Sequence, residues 1–172
     1  FAIKLAPHFE SVVAIDTSQS MIELAAAVQP TKSNVRFRVL DFWDAELEND
    51  RFDFVSFIAV IHHMPLAKTL ERVRDLLNPG GQLAIVGCYK EQSIEDYFYS
   101  ALAAPVNLAY CWYNGGYDSV SAPTSPATQT LKEIVARATE TLPGAKITRL
   151  LFWRYLLLYT KPELPNKAQN RF

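Results

Sequence analysis

Asp16, Asp41 and the histidine pair His62–His63 are the residues of this chain best placed to do chemistry. A carboxylate at the end of a strand can accept hydrogen bonds from both ribose hydroxyls of a nucleoside. A second carboxylate, after the next strand, can accept from an exocyclic amine such as that of adenine. Either aspartate alone reads more readily as an N-cap or a turn residue, since Asp favours both places. Their joint placement on successive strand ends is what favours a nucleoside site. One histidine could serve as a general base toward an acceptor hydroxyl, because imidazole titrates near neutrality. The plainer reading, a loop-to-helix junction that packs locally, is preferred. A zinc site would need a third ligand, and none has a matching position.

The apolar pattern supplies the elements that must hold these residues. Residues 11–15 (SVVAI) form a short apolar run ending at Asp16 and predict a buried strand. A helix follows through Met21, Ile22, Leu24, Ala25 and Val28, with Ser20 and Glu23 as its capping box, and Pro30 stops it. Val35, Phe37 and Val39 alternate with Arg36 and Arg38, which predicts a strand leading to Asp41. The run 52–61 lacks polar alternation and predicts a central parallel strand buried on both faces. Pro65 suits the first position of the next helix, whose Leu66, Leu70, Val73 and Leu77 share a face. Residues 78–81 (NPGG) predict a turn, and 82–87 a further buried strand. Thr130 and Glu133 cap a last helix, and two closing strands fall at about 146–152 and 155–160. Three alternations of strand and helix and a final hairpin predict an α/β fold, mostly parallel with an antiparallel end. In such sheets ligands sit at the carboxyl ends of the strands.

Composition narrows the function classes. The 172 residues suit one domain, and 49% apolar with 20% charged residues provide both a core and a soluble surface. Seventeen Lys plus Arg against eighteen Asp plus Glu leave a net charge of −1, which gives no footprint for nucleic acid or an acidic membrane. No apolar run has the length of a membrane span. Cys88 and Cys111 are the only cysteines; they fit no disulfide framework and no CxxC site, and a reducing, cytoplasmic setting suits them. Residues 88–127 stand apart, with many aromatics and no placeable motif. They read either as a cap over an acceptor pocket or as a loop anchored to the core. The cap is favoured, with Tyr110, Trp112 and Tyr113 as its candidate substrate contacts. Residues 163–172 are a polar tail.

The segments AIDTSQSMIELA, VRFRVLDFWD, RFDFVSFIAVIHHM and VRDLLNPGGQLAIVG, in this order and spacing, resemble the class I S-adenosylmethionine-dependent methyltransferases. Among these the sequence is most similar to small-molecule enzymes of the ubiquinone/menaquinone-biosynthesis type. The resemblance is close over residues 1–88 and returns in the closing hairpin, so that residues 1–162 form one methyltransferase-like domain. It implies a Rossmann-like sheet, S-adenosylmethionine as cofactor, and methyl transfer to O, N or C of a small acceptor. It also implies roles. Asp16 binds the cofactor's ribose, with Thr17 and Met21 beside it. Asp41 contacts the adenine amine, with Phe42 packing on the ring. Phe57 and Ile58 lie near the methionine moiety, where relatives often carry a small polar residue.

One family feature has no counterpart here. The family's first strand ends in a glycine-rich loop, whereas the glycines of this chain are at 80, 81, 87, 115, 116 and 144. The expectation is a chain that starts just past that loop, lacks the first strand, and is inactive or impaired alone. The strands at 11–15 and 52–58 would then lack the neighbour that usually lies between them. A non-catalytic, methyltransferase-like binding module is the alternative reading.

Overall fold

The computed structural model describes residues 1–30, 33–92 and 126–163, which fall into two compact units, Phe1–Asp50 and Arg51–Phe172. The first unit begins with helix α1 (Ala2–Leu5) and a 3-10 turn, followed by strand β1 (Val12–Asp16), helix α2 (Gln19–Ala27) and strand β2 (Val35–Val39). β1 and β2 pair in parallel, from Val12 opposite Val35 to Asp16 opposite Val39. Asn34 ties the approach to β1 to the start of β2 by donating to the carbonyls of Ala6, Phe9 and Glu10. Val12, Val35, Leu40 and Leu47 are the buried apolar residues of this unit.

The cap of α2 differs from expectation. Ser18, not Ser20, is the N-cap, and its hydroxyl accepts from the Met21 amide at 3.4 Å. Ser20 lies inside the helix and shares a hydrogen bond with the Ser18 hydroxyl. Glu23 accepts instead from Gln19 Nε2 at 2.7 Å. The helix starts two residues earlier than the box would place it because Asp16 turns the chain at Ser18.

The second unit is a four-stranded mixed sheet in the order β3 (Phe52–Ile58), β4 (Leu77–Cys88), β6 (Arg154–Thr160), β5 (Lys146–Arg149). β3 and β4 are parallel; β4 with β6 and β6 with β5 are antiparallel. Helix α3 (Leu66–Leu76) connects β3 to β4 and buries Leu66, Leu70 and Val73 of the expected stripe, together with Thr69 and Leu76, while Leu77, the fourth expected member, is the first residue of β4. Helix α4 (Leu131–Thr141) packs against α3 and carries the full Thr130–Glu133 capping box. Those hydrogen bonds to Thr130 hold the Glu133 carboxyl below its ordinary pKa. Lys161 Nζ donates to the carbonyls of Arg74 and Leu77 at 2.7 and 2.6 Å, supplying partners that the end of α3 cannot find within the helix.

Several boundaries differ from the sequence-based expectation. β3 stops at Ile58, has Phe57 as its one fully buried residue, and is an edge strand rather than a central one. Ala59 follows with φ 54, which ends the extended run before the 3-10 turn Ile61–His63. Pro65 is the N-cap of α3, not its first residue. β4 begins at Leu77 and runs through the expected NPGG turn. There Gly80 adopts φ 77, and hydrogen bonds with Lys161 from Gly80 N and to Gly81 O carry the ladder onward. The closing strands are shorter than expected, because Phe152 and Trp153 both take left-handed φ, 61 and 58, between them. Instead of one sheet there are two, with β1 at one edge of the first and β3 at one edge of the second. Among the described residues β1 pairs only with β2, and β3 only with β4.

A close fit joins β4 to β6. Gly87 lies opposite Tyr155, and a Cβ there would come within 2.5 Å of Cε1, Cζ and Oη of that tyrosine. Only glycine leaves room for the ring. Burial pushes the Tyr155 pKa up to about 12, and the neighbouring Cys88 adds to the shift.

Three outcomes follow from this architecture. Gly87→Ala should lower the unfolding free energy by about 1–3 kcal/mol, because the ring must be displaced, and urea titration will measure it. Unfolded Tyr155 ionises near pH 10 and the folded residue near 12, so the proton it retains stabilises the fold up to pH 10. That contribution, on the order of 2–3 kcal/mol, should be lost as pH rises from 10 to 12. Tyr155→Phe should show a correspondingly shallower decline. In hydrogen exchange, amides of β1, paired on one side, should exchange much faster than those of β4, paired on both. Equal strong protection in a monomeric chain would contradict this.

Candidate functional site

The nucleoside-site candidates gather at one end of the β1–β2 pair. Because the strands are parallel and in register, Asp16 ends β1 beside Val39, and the Leu40 amide donates to the Asp16 carbonyl at 3.0 Å. Asp41 follows directly. Each aspartate closes an Asx turn: Asp16 Oδ1 accepts from Ser18 N and Asp41 Oδ1 from Trp43 N, both at 2.8 Å. Both residues are exposed, and among the described residues Oδ2 of each has no hydrogen-bond partner. One oxygen therefore fixes the rotamer while the other remains available to a ligand. The turn accounts for the aspartates' local role; the pairing of β1 with β2 accounts for their juxtaposition.

Thr17 and Met21 are exposed beside Asp16, Met21 in the first turn of α2. Phe42 is half-buried and meets Trp43 edge-on, with ring centroids 5.5 Å apart at 74°. Its neighbour Trp43, which the sequence reading did not single out, is exposed. These residues offer carboxylate acceptors for the ribose hydroxyls and for the adenine amine, and an aromatic surface, within one unit. The chain's residues thus fit an adenosyl group.

In the second unit Phe57 and Ile58 separate. Phe57 is buried in the core, and only Ile58, 44% exposed, reaches the surface at the end of β3. His62 and His63 sit on the 3-10 turn before α3, half-buried and exposed respectively, with ring centroids 4.0 Å apart. That is the loop-to-helix junction preferred from sequence. Close by, a small pocket at the end of β4 is lined by Ile61, His62, Cys88, Gln129 and Tyr155, over Leu66 and Ile134. Gln129 and Tyr155 carried no functional signal in the sequence, since Tyr155 reads simply as an apolar position of a closing strand. Tyr110, Trp112 and Tyr113 lie outside the described residues. Among the described residues, no three His, Cys, Asp or Glu side chains are grouped to hold a metal, and no helix is long and apolar enough to cross a membrane.

Comparison with known proteins identifies the family. The family model of the methyltransferase domain matches residues 1–85. Uncharacterised methyltransferases of Mycobacterium bovis and Mycobacterium tuberculosis are 32% identical over 163 residues, covering 94% of this chain and 81% of theirs. A solved S-adenosylmethionine-dependent methyltransferase of Methanosarcina mazei superposes with TM-score 0.61 at 18% identity, covering 95% of this chain and 88% of its own. The N-methyltransferase NodS of Bradyrhizobium japonicum, solved with S-adenosyl-L-homocysteine, gives 0.58 at 17% identity, covering 94% and 71%. These structures share the fold. The chain belongs to the methyltransferase domain family, as a class I S-adenosylmethionine-dependent methyltransferase.

Proposed function

We propose that the chain transfers a methyl group from S-adenosylmethionine to O, N or C of a small acceptor, and that Asp16 and Asp41 hold the cofactor's nucleoside. The observation that carries this reading is the pair of outward carboxylates on adjacent parallel strand ends, each fixed by its own Asx turn. Asp16 Oδ2 would accept from the ribose hydroxyls and Asp41 Oδ2 from the adenine amine, with Phe42 packing on the base. Thr17 and Met21 would flank the ribose. Ile58, and Phe57 behind it, would border the methionine end. The structure of NodS in complex with S-adenosyl-L-homocysteine supports the cofactor class.

When bound, the cofactor supplies a sulfonium methyl already activated for in-line displacement. The chain's own residues then contribute binding, orientation and exclusion of water. Neither histidine is required for that; His62 or His63 enters only if the acceptor atom must lose a proton. The acceptor would be small, as in the ubiquinone/menaquinone-type enzymes that the sequence resembles, with Tyr110, Trp112 and Tyr113 contacting it. Within residues 1–172 no glycine precedes Gly80, so we expect the nucleoside contacts to carry most of the affinity, and S-adenosylhomocysteine to bind this chain weakly.

Asp16→Asn and Asp41→Asn test the assignment, because asparagine can still close the Asx turn while losing the charge. Each should weaken S-adenosylhomocysteine binding by about 1.5–3 kcal/mol, tenfold or more, with little change in thermal stability. NMR titration of the three proteins measures both affinity and fold. Unchanged affinity in both variants would overturn the reading.

A further inference from the structure

Trp43 follows Asp41 by two residues and keeps 40% of its surface exposed. Its backbone, by contrast, is fixed on both sides. The Trp43 amide donates to Asp41 Oδ1 at 2.8 Å, and the Asp44 amide donates to the Asp41 carbonyl at 3.0 Å. Beyond it Asp44 caps the 3-10 turn Ala45–Leu47, in which Leu47 is buried and Glu46 pairs with Arg38 of β2. A large apolar side chain therefore stands in water on a rigid mount, and the carboxylate assigned to the amine is the group that holds it. The indole and the Phe42 ring lie 74° apart, with centroids separated by 5.5 Å. Two aromatic surfaces at that angle form a corner, and a base lying flat on one ring meets the other at its edge. Phe42 is half-buried, so Trp43 presents the larger share of the corner to solvent.

We propose that Trp43 is a specificity-determining residue of the nucleoside site, and that its indole packs on the base and selects an aminated purine over an aminated pyrimidine. The proposal rests on the assignment of Asp16 and Asp41 to the nucleoside. Those two carboxylates do not make this choice by themselves. Cytidine presents ribose hydroxyls and an exocyclic amine, as adenosine does, and satisfies the same acceptors. What separates the two nucleosides is the apolar surface of the base, and contact with that surface is what an aromatic corner rewards. A two-ring base covers both walls, whereas a one-ring base leaves part of the indole wet. Removing an aromatic that stacks on a base costs about tenfold in affinity, enough to set the preference.

The test uses the full chain labelled with fluorotryptophan and titrated with adenosine and, separately, with cytidine, under ¹⁹F NMR. The Trp43 resonance is assigned by its disappearance in Trp43→Phe. Adenosine should shift that resonance saturably and bind about tenfold more tightly than cytidine. In Trp43→Ala, followed through the amides of Thr17 and Phe42, adenosine should weaken by about tenfold and approach cytidine. Trp43→Phe keeps an aromatic face and should retain part of the preference. If Trp43→Ala does not fold, the ¹⁹F titrations of the unaltered tryptophan decide alone. Three results would overturn the proposal: a Trp43 resonance indifferent to adenosine, equal binding of the two nucleosides, or an undiminished preference in Trp43→Ala. Asp16→Asn and Asp41→Asn distinguish its failure from that of the underlying assignment. Adenosine weakened by both, with Trp43 indifferent, removes the proposal and leaves the assignment. Adenosine that shifts Trp43 and binds both aspartate variants undiminished removes the assignment and leaves a base-packing surface.

Discussion

Parallel pairing forces the ends of two strands together, and the candidate nucleoside site depends on that. β1 and β2 run in the same direction, so the residues that follow each of them emerge at one edge. Had the pair been antiparallel, Asp16 and Asp41 would have left the sheet at opposite ends. The register then fixes the spacing, with Asp16 opposite Val39 and Asp41 two residues on. Asx turns at both aspartates complete the arrangement by spending one carboxylate oxygen on the backbone and presenting the other outward. The chemistry of the site is thereby set by backbone geometry more than by side-chain packing, in a unit where few residues are buried.

The second unit works by opposite means. Its sheet is held by dense contacts between β4 and β6, and the Gly87–Tyr155 fit shows how little slack they leave. Leu83, Ile85 and Leu157 are buried in its core, α3 packs against α4 and β4, and Lys161 reaches across to the end of α3.

Much of this was legible in the sequence because it rests on periodicity. Alternation of Val35, Phe37 and Val39 with arginines marked β2, and an i, i+4, i+7 stripe marked α3. Asp16 and Asp41 stood out because they follow such runs. The parts that were not legible depend on tertiary context or on backbone conformation. Nothing in Phe152-Trp153 announces two left-handed residues, since bulky aromatics rarely adopt them. NPGG reads as a turn, and it joins β4 only because Lys161 lies alongside to complete the ladder. Ser18 outcompeted Ser20 as a cap because the Asp16 turn, invisible in a helical window, sets where the helix begins. Tyr155 looked like any apolar strand residue, and its close fit across Gly87 exists only once β4 and β6 pair.

The central claim is that the end of the β1–β2 pair receives an adenosyl group, and isotope-filtered NMR on S-adenosylhomocysteine added to labelled protein tests it most directly. The account predicts intermolecular cross-peaks from the adenine protons to the Phe42 ring and from the ribose protons to Met21 and the amides flanking Asp16. Cross-peaks from those protons to residues of the Arg51–Phe172 unit alone, with Met21 and Phe42 silent, would contradict it.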